Sequence, residues 1–279
     1  MDTEEYRITK ILNNNVVLAL QHGKEKIIFS RGIGFKGHVG STIGNDMTIE
    51  KIFSLDDKEN SNRFNELIER VDGSIVGLCE EVIYMIDKEL GEELDEKIHI
   101  ALTDHIAFTL MRLKENNEIT NPFLIETQTL YKKEFEVAKK VISVLEKRTG
   151  IDIPDGEVGF IALHIHSARN KGKLSNTIKC AFITSSIAEL IEDEFRIHID
   201  RDSLDYARFI IHVQFAIKRL MSNSPIKNGL LDTIRKQCSE SYKVAVKAAG
   251  LIENELGIKV VPDEIGYIAI HIEKLRSAS

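Results

Sequence analysis

One motif occurs twice in this chain, and each copy carries a histidine in the same position. Residues 157–164 read Glu-Val-Gly-Phe-Ile-Ala-Leu-His, and residues 264–271 read Glu-Ile-Gly-Tyr-Ile-Ala-Ile-His. The second copy follows the first by 107 positions. A repeat of this length indicates one structural module used twice, so the fold must contain two similar units in its last two thirds.

A second histidine follows the same repeat. His105 recurs as His212, and in each copy 59 positions separate it from the other histidine, His164 or His271. A neutral imidazole nitrogen is a good phosphoryl acceptor near neutral pH, because its pKa lies close to ambient pH. Four core histidines copied along with the module would show the same spacing. Two matched pairs nevertheless favour regulation through histidine over one catalytic pocket.

Metal binding and acid–base catalysis fit these residues less well. His164 and His166 lie two positions apart, so on a helix they point about 200° apart and cannot share an ion. The second copy has Glu273 in place of His166. Glu157 and Glu264 fall in a first helical turn, where the helix dipole already favours a carboxylate. We therefore expect no metal, no cofactor and no enzymatic activity.

Composition describes an ordinary soluble protein of two or three domains. The chain has 279 residues, of which 43% are hydrophobic and 29% charged, and its net charge is −7. Three scattered cysteines (Cys79, Cys180 and Cys238) indicate reduced thiols. The acidic start, with Asp2 and Glu4, argues against a signal peptide, and no apolar run is long enough for a membrane helix. A cytoplasmic location is expected.

The N-terminal part is predicted to form a small antiparallel β-sheet. Short strand patterns cover residues 6–12, 16–20, 26–29 and 48–53, and turn residues separate them. A four-stranded sheet of this size buries little apolar surface by itself. It therefore needs a partner for one face, which predicts a homodimer.

From about Lys58 onward the spacing of apolar residues is helical. Apolar faces recur in residues 75–86, 98–106 and 137–145, and Pro154 and Pro262 begin the two histidine-bearing helices. The fold class is thus a β domain followed by two homologous all-α helical bundles. We place the domain boundaries at 1–60, 61–173 and 174–279.

The β domain also carries a candidate nucleic-acid surface. Residues 6–53 contain seven Lys and Arg against three acids, in a chain that is negative overall. RNA is bound by cationic side chains, by side-chain amides, by glycine backbone that can approach the nucleotides closely, and by an aromatic ring on which a base stacks. The candidate residues are Lys10, Asn13, Asn14, Asn15, Arg31, Gly32, Gly34 and Phe35. A solvated β-turn with an ordinary core phenylalanine explains the same residues equally well.

Three groups of motifs, in order along nearly the whole chain, resemble the BglG/SacY/LicT family of transcriptional antiterminators. Residues 12–16, 31–35 and 49–53 resemble its co-antiterminator RNA-binding domain. Residues 101–108, 121–123 and 159–166 resemble its first phosphotransferase-system (PTS) regulation domain, and 208–215 and 266–271 the second. Each motif is weak alone, but the ordered set is specific. The sequence at residues 102–108 and 121–128 most resembles that of the glucose-type members.

The resemblance implies a mechanism. A dimer of the β domain binds an RNA hairpin in a nascent leader transcript and prevents an overlapping terminator from folding. It implies phosphoryl acceptors at His105 and His164, served by the sugar-specific permease (enzyme II), and at His212 and His271, served by the carrier HPr. Phosphate on the first pair would turn the protein off when no sugar is transported. Whether phosphate on the second pair activates is left open.

One competing function uses the same regulation domains in a DNA-binding transcriptional activator. Such a protein needs a helix-turn-helix ahead of the repeats. The first 55 residues have strand periodicity instead, which disfavours this alternative.

Overall fold

The computed structural model of the chain describes residues 5–43 and 48–278. The acidic start used above, with Asp2 and Glu4, lies outside the described residues. The chain forms two compact units. The first contains residues 1–120 and 133–172, and the second contains residues 121–132 and 173–279.

The β domain is a four-stranded antiparallel sheet with strands in sequence order, as the sequence predicts. Its strands are β1 (Arg7–Ile11), β2 (Val16–Gln21), β3 (Lys24–Phe29) and β4 (Lys51–Ser54). His22 and Gly23, with φ of 51° and 76°, form the two-residue turn between β2 and β3. Positive φ at both positions matches the right-handed twist of the flanking strands.

Both faces of the sheet are buried within the first unit. One face packs against the loops of the β domain through Tyr6, Ile8, Val17, Ala19, Ile28, Ile33 and Ile43. The other packs against helices α2 (Lys58–Arg70) and α3 (Gly73–Leu90), and its core contains Leu12, Val16, Leu18, Ile27, Phe29, Leu55, Phe64, Leu67, Ile68 and Val76. The partner face that the sequence requires therefore comes from the same chain. An uncovered sheet face no longer argues for a dimer.

The ends of α2 and α3 follow from local side chains. Asp57 accepts hydrogen bonds from the N–H groups of Glu59 and Asn60, and Asp72 caps α3 through the N–H of Ser74. Gly91, with φ of 63°, ends α3 in the left-handed conformation that glycine adopts without strain. A short helix, α1 (Ile33–Lys36), lies between β3 and β4; the sequence patterns do not predict it.

The remaining helices form the two repeated bundles. The first unit adds α4 (Ile98–Lys114), α6 (Lys132–Thr149) and α7 (Asp155–Arg169). The second contains α8 (Leu174–Phe195), α9 (Leu204–Met221), α11 (Ser239–Leu256) and α12 (Pro262–Ala278). The short helices α5 (Leu124–Leu130) and α10 (Leu231–Gln237) both belong to the second unit. Within the described ranges, every helix is too short or too polar to cross a bilayer.

The segment 121–132 shows how the repeat departs from symmetry. Its position in the sequence matches α10, yet α5 packs against α8 and α9 of the second unit. Glu126 is buried there and accepts hydrogen bonds from Arg201 (2.8 Å) and from the hydroxyl of Tyr206. A buried carboxylate needs such partners, so these bonds hold the segment in place.

Candidate functional sites

The two histidines of the first unit lie side by side. His105 is on α4 and His164 is on α7, and their ring centroids are 4.9 Å apart with the planes tilted by 36°. The matched spacing in the sequence therefore corresponds to a physical pair.

A buried carboxylate lies against one ring of this pair. An oxygen of Glu157 lies 3.1 Å from Nε2 of His105, and its other oxygen accepts a hydrogen bond of 2.5 Å from Arg112. Thr109 donates a further bond of 3.1 Å. Burial raises the pKa of Glu157, but its contacts with His105, Arg112 and Thr109 prevail and lower it, so the carboxylate is ionised. Glu157 thus contacts both His105 and Arg112, beyond the helix-dipole role that its position in the first turn suggests.

The other ring of this pair is kept neutral. Burial, reinforced by the proximity of His105, lowers the pKa of His164 to about 3. At neutral pH the ring therefore retains a nitrogen lone pair, which a phosphoryl acceptor requires.

The second unit repeats the pair with a closer stack. His212 on α9 and His271 on α12 have ring centroids 3.9 Å apart and planes within 14° of parallel. A cavity of about 400 Å³ opens beside both rings and is lined in part by Arg219 and Tyr267. Burial, with His212 and Lys274 nearby, lowers the pKa of His271 to about 4. This ring is also neutral at pH 7.

The two repeated glutamates, Glu157 and Glu264, differ in their hydrogen-bond partners. Glu264 accepts two hydrogen bonds from Arg219, of 2.8 and 2.5 Å, and one of 3.2 Å from the backbone N–H of Ile226. Glu157 divides its oxygens between Arg112 and the histidine. A signal for both ion pairs is present in the sequence, because each arginine precedes its glutamate by 45 positions.

The two depressed histidine pKa values predict a pH dependence of stability. The unfolded chain titrates near pH 6.5, whereas the folded chain takes up these protons only near pH 3 to 4. The unfolded state therefore binds more protons between these limits, and stability is lost as pH falls below 6.5. We expect the free energy of unfolding to drop between pH 7 and pH 5 by at most about 2 kcal/mol for each of these histidines.

Urea unfolding at both pH values checks this expectation. The double variant His164→Gln, His271→Gln should lose most of the difference, and His198→Gln, which alters an exposed histidine, should retain it. Equal pH dependence in all three proteins would contradict the prediction.

The candidate RNA-binding residues lie in two adjoining segments of the β domain. Oδ1 of Asn13 accepts hydrogen bonds from the N–H groups of Asn15 (2.8 Å) and Val16 (2.9 Å), which fixes the turn after β1. The glycine-containing segment, residues 31–35, packs onto that turn. The N–H of Gly34 donates to the Asn14 carbonyl, and the N–H of Gly32 donates to Oδ1 of Asn15. A Cβ at Gly34 would lie 2.1 Å from the Asn13 carbonyl oxygen, so only glycine fits.

The exposed candidates and the engaged candidates separate clearly. Arg31 and Phe35 point into solvent, with 86% of the Arg31 side chain and 77% of Phe35 exposed. Lys10 instead donates to the carbonyl of Ile68 on α2. The side-chain amides of Asn13 and Asn15 both donate to Glu81 of α3, a residue that the sequence patterns do not single out.

The structure assigns His166 to an ion-pair network. Its Nδ1 lies 2.8 Å from Glu134, which also contacts Arg169 at 2.7 Å. Throughout residues 5–43 and 48–278, no three His, Cys, Asp or Glu side chains form a group that could hold a metal ion.

Known proteins match this chain over nearly its whole length. The CAT RNA binding domain family matches residues 6–62, and the PRD domain family matches residues 80–168 and 185–275. Transcription antiterminator LicT of Bacillus subtilis (strain 168) is 33% identical over 273 residues, which are 96% of this chain and 98% of that protein. Protein GlcT of Staphylococcus saprophyticus is 34% identical over 270 residues, 96% of each chain.

A solved structure matches part of the chain. The crystal structure of GlcT CAT-PRDI superposes with a TM-score of 0.52 and 42% identity. It covers 59% of this chain and 98% of that one.

Proposed function

Because the chain belongs to the family of transcriptional antiterminators that join a CAT RNA-binding domain to two PRD domains, we propose how its own residues carry out that function. The β domain binds an RNA hairpin in a nascent leader transcript and prevents an overlapping terminator from forming. Arg31 and Phe35 supply the exposed cation and the stacking ring, and the Asn13–Asn15 turn supplies amides. The functional domains are 1–60, 61–173 and 174–279.

The two histidine pairs are the switch. His105 and His164 accept phosphoryl groups from the sugar-specific enzyme II, and His212 and His271 accept them from HPr. A phosphoryl group brings roughly two negative charges to a half-buried position beside a second ring. Such a charge cannot stay in the packed arrangement without new partners, so helices α4 and α7 must rearrange.

One observation carries this proposal: histidines 59 positions apart in the sequence face each other in both units, at 4.9 Å and 3.9 Å between ring centroids. In each pair one ring has a pKa well below neutral, which leaves its nitrogen free to attack phosphorus. The glucose-type relatives support glucose as the controlling sugar. The working form is a cytoplasmic homodimer, a receiver of phosphate and not an enzyme.

The N-terminal sheet disfavours the alternative function, a DNA-binding activator with the same regulation domains. Residues 7–54 form four antiparallel strands where a helix-turn-helix would be required, and the CAT RNA binding domain family matches 6–62.

Phosphorylation and RNA binding can be tested together. A stem-loop is selected from a randomised hairpin pool by binding to the unphosphorylated wild-type chain. Enzyme I, HPr and glucose-type enzyme II are then added, and we expect acid-labile phosphate on the histidine pairs and loss of hairpin binding. His105→Ala and His164→Ala should bind the hairpin as wild type does but lose the response to enzyme II.

His198→Ala is the matched control, because 92% of this side chain is exposed and it lies outside both pairs. It should behave as wild type in both assays. Phosphate uptake that survives alanine at all four paired positions would overturn the assignment of the acceptors.

A further inference from the structure

We propose that Glu81 of the first PRD domain is an internal competitor for RNA: its carboxylate occupies the amide groups that the β domain offers to a hairpin. Docking of α3 on the sheet and binding of RNA then exclude each other. This inference rests on the proposed function and adds the contact by which the regulation domain holds the RNA-binding surface shut.

The contact is direct. One oxygen of Glu81 accepts hydrogen bonds from the side-chain amides of Asn13 (2.7 Å) and Asn15 (3.2 Å). Arg148 on α6 donates to the other oxygen at 2.9 Å and so fixes the carboxylate in the first PRD domain. An anionic oxygen facing two amide donors presents the same chemistry as a phosphate oxygen or a base carbonyl of RNA.

Close contacts between α3 and the sheet surround these amides. Gly77 of α3 approaches so closely that a Cβ there would lie 2.6 Å from the side chain of Asn13. Tyr84, one helical turn beyond Glu81, stacks on Phe29 of β3 with ring centroids 4.2 Å apart. RNA can therefore reach these amides only if α3 moves away.

Cations of the β domain are also occupied by the regulation helices. Lys10 donates to the backbone carbonyl of Ile68 at 2.9 Å, and Lys51 pairs with Asp87 of α3 at 2.7 Å. A lysine bound in this way is not free to meet a phosphate. Arg31 and Phe35 remain exposed, so a hairpin can first contact these two residues while α3 is still docked.

The affinity for RNA depends on how many molecules have α3 undocked from the sheet. If only a fraction of molecules has α3 undocked, the apparent affinity for RNA is reduced by that fraction. Removing Glu81 deletes two amide contacts and the tie to Arg148, and so raises the competent fraction. Because α3 packs beside α4, which carries His105, phosphate on the first histidine pair can act on this contact, and it turns RNA binding off by favouring the docked arrangement.

The test uses the full chain, unphosphorylated, and the hairpin selected above against wild type. We expect Glu81→Ala to bind about tenfold more tightly, and Glu81→Gln, which keeps one acceptor oxygen but loses the charge, to bind with an intermediate affinity. Glu89→Ala is the matched control. It removes an equal charge from the same helix, where Glu89 pairs with Lys140 and not with the sheet.

The outcomes separate the two proposals. If Glu81→Ala and Glu81→Gln bind the hairpin no more tightly than Glu89→Ala does, the proposed competition is wrong. The proposed RNA-binding function still holds in that case, provided that Phe35→Ala loses hairpin binding. If no hairpin binds in a manner sensitive to Phe35, the proposed function itself fails. Circular dichroism of each variant checks folding, and Glu81→Gln, isosteric with the native side chain, keeps the test valid if Glu81→Ala unfolds.

Discussion

Phe35→Ala is expected to weaken hairpin binding by about tenfold to a hundredfold without destabilising the protein. Stacking of one base on an aromatic ring contributes roughly 1–3 kcal/mol. Phe35 is 77% exposed at the end of the glycine-containing segment, so its removal leaves no cavity in the core. Titration of the selected hairpin by fluorescence anisotropy measures the loss, and thermal unfolding confirms equal stability.

Val39→Ala provides the control for this prediction. Val39 lies just after α1, four residues beyond Phe35, and is 62% exposed, but it has no ring on which a base can stack. It should bind the hairpin within about twofold of wild type. Arg31→Ala should weaken binding and also reduce the salt dependence of log Kd by about one unit, as expected for one lost phosphate contact. Wild-type affinity in Phe35→Ala would show that the hairpin binds elsewhere.

Local patterns predict most of the fold, because they report on which face of an element is buried. The strands begin and end within a few residues of the predicted limits, and the histidine-bearing helix α7 starts at Asp155, directly after Pro154. The short helix α1 escapes prediction because four residues are too few to show a period. The packing of α5 in the second unit depends on long-range contacts of Glu126, which no local pattern encodes.

Among the candidate site residues, the sequence predicts the histidine pairs but not Glu81. The histidine pairs can be predicted because duplication preserves their spacing. Glu81 cannot be found by that route, because its position in the repeat is taken by Ala188, a buried residue of α8. Glu81 contacts Asn13 across 68 positions of sequence, and on a helix it resembles any solvated acid. What distinguishes it is a partner present only in the first unit, the β domain.

Helix α3 connects the β domain to the bundle that carries the first histidine pair. Its helix α3 packs against α4 of its own bundle and also contributes Tyr84 and Val76 to the sheet core. A change at His105 and a change at the amides of Asn13 and Asn15 are thus separated by one pair of packed helices. Packed helices shift between discrete arrangements and do not deform continuously, so a local charge can be read out at a distance.

Glu157→Ala is the substitution with the largest expected cost in stability, about 3–5 kcal/mol. It removes the carboxylate partner of Arg112, whose side chain is only 5% exposed, and leaves this buried guanidinium with the backbone carbonyl of Asn117 as its acceptor. His105 loses its contact with the carboxylate at the same time. Hydrogen exchange of amides in α4 and α7 reports on this unit separately, which matters because a chain of two units need not unfold in one step.

Glu264→Ala is the matched variant in the second unit, and the repeat makes the comparison sharp. Arg219, the partner of Glu264, is 27% exposed and lines the cavity beside the second histidine pair, so after the substitution its guanidinium can turn toward water. We therefore expect a smaller loss, about 1–2 kcal/mol, measured by exchange in α9 and α12. Equal losses in the two units would show that exposure of the arginine does not set the cost. A loss in Glu157→Ala below that of Glu264→Ala would contradict the burial argument, because the more enclosed ion pair would then be the less important one.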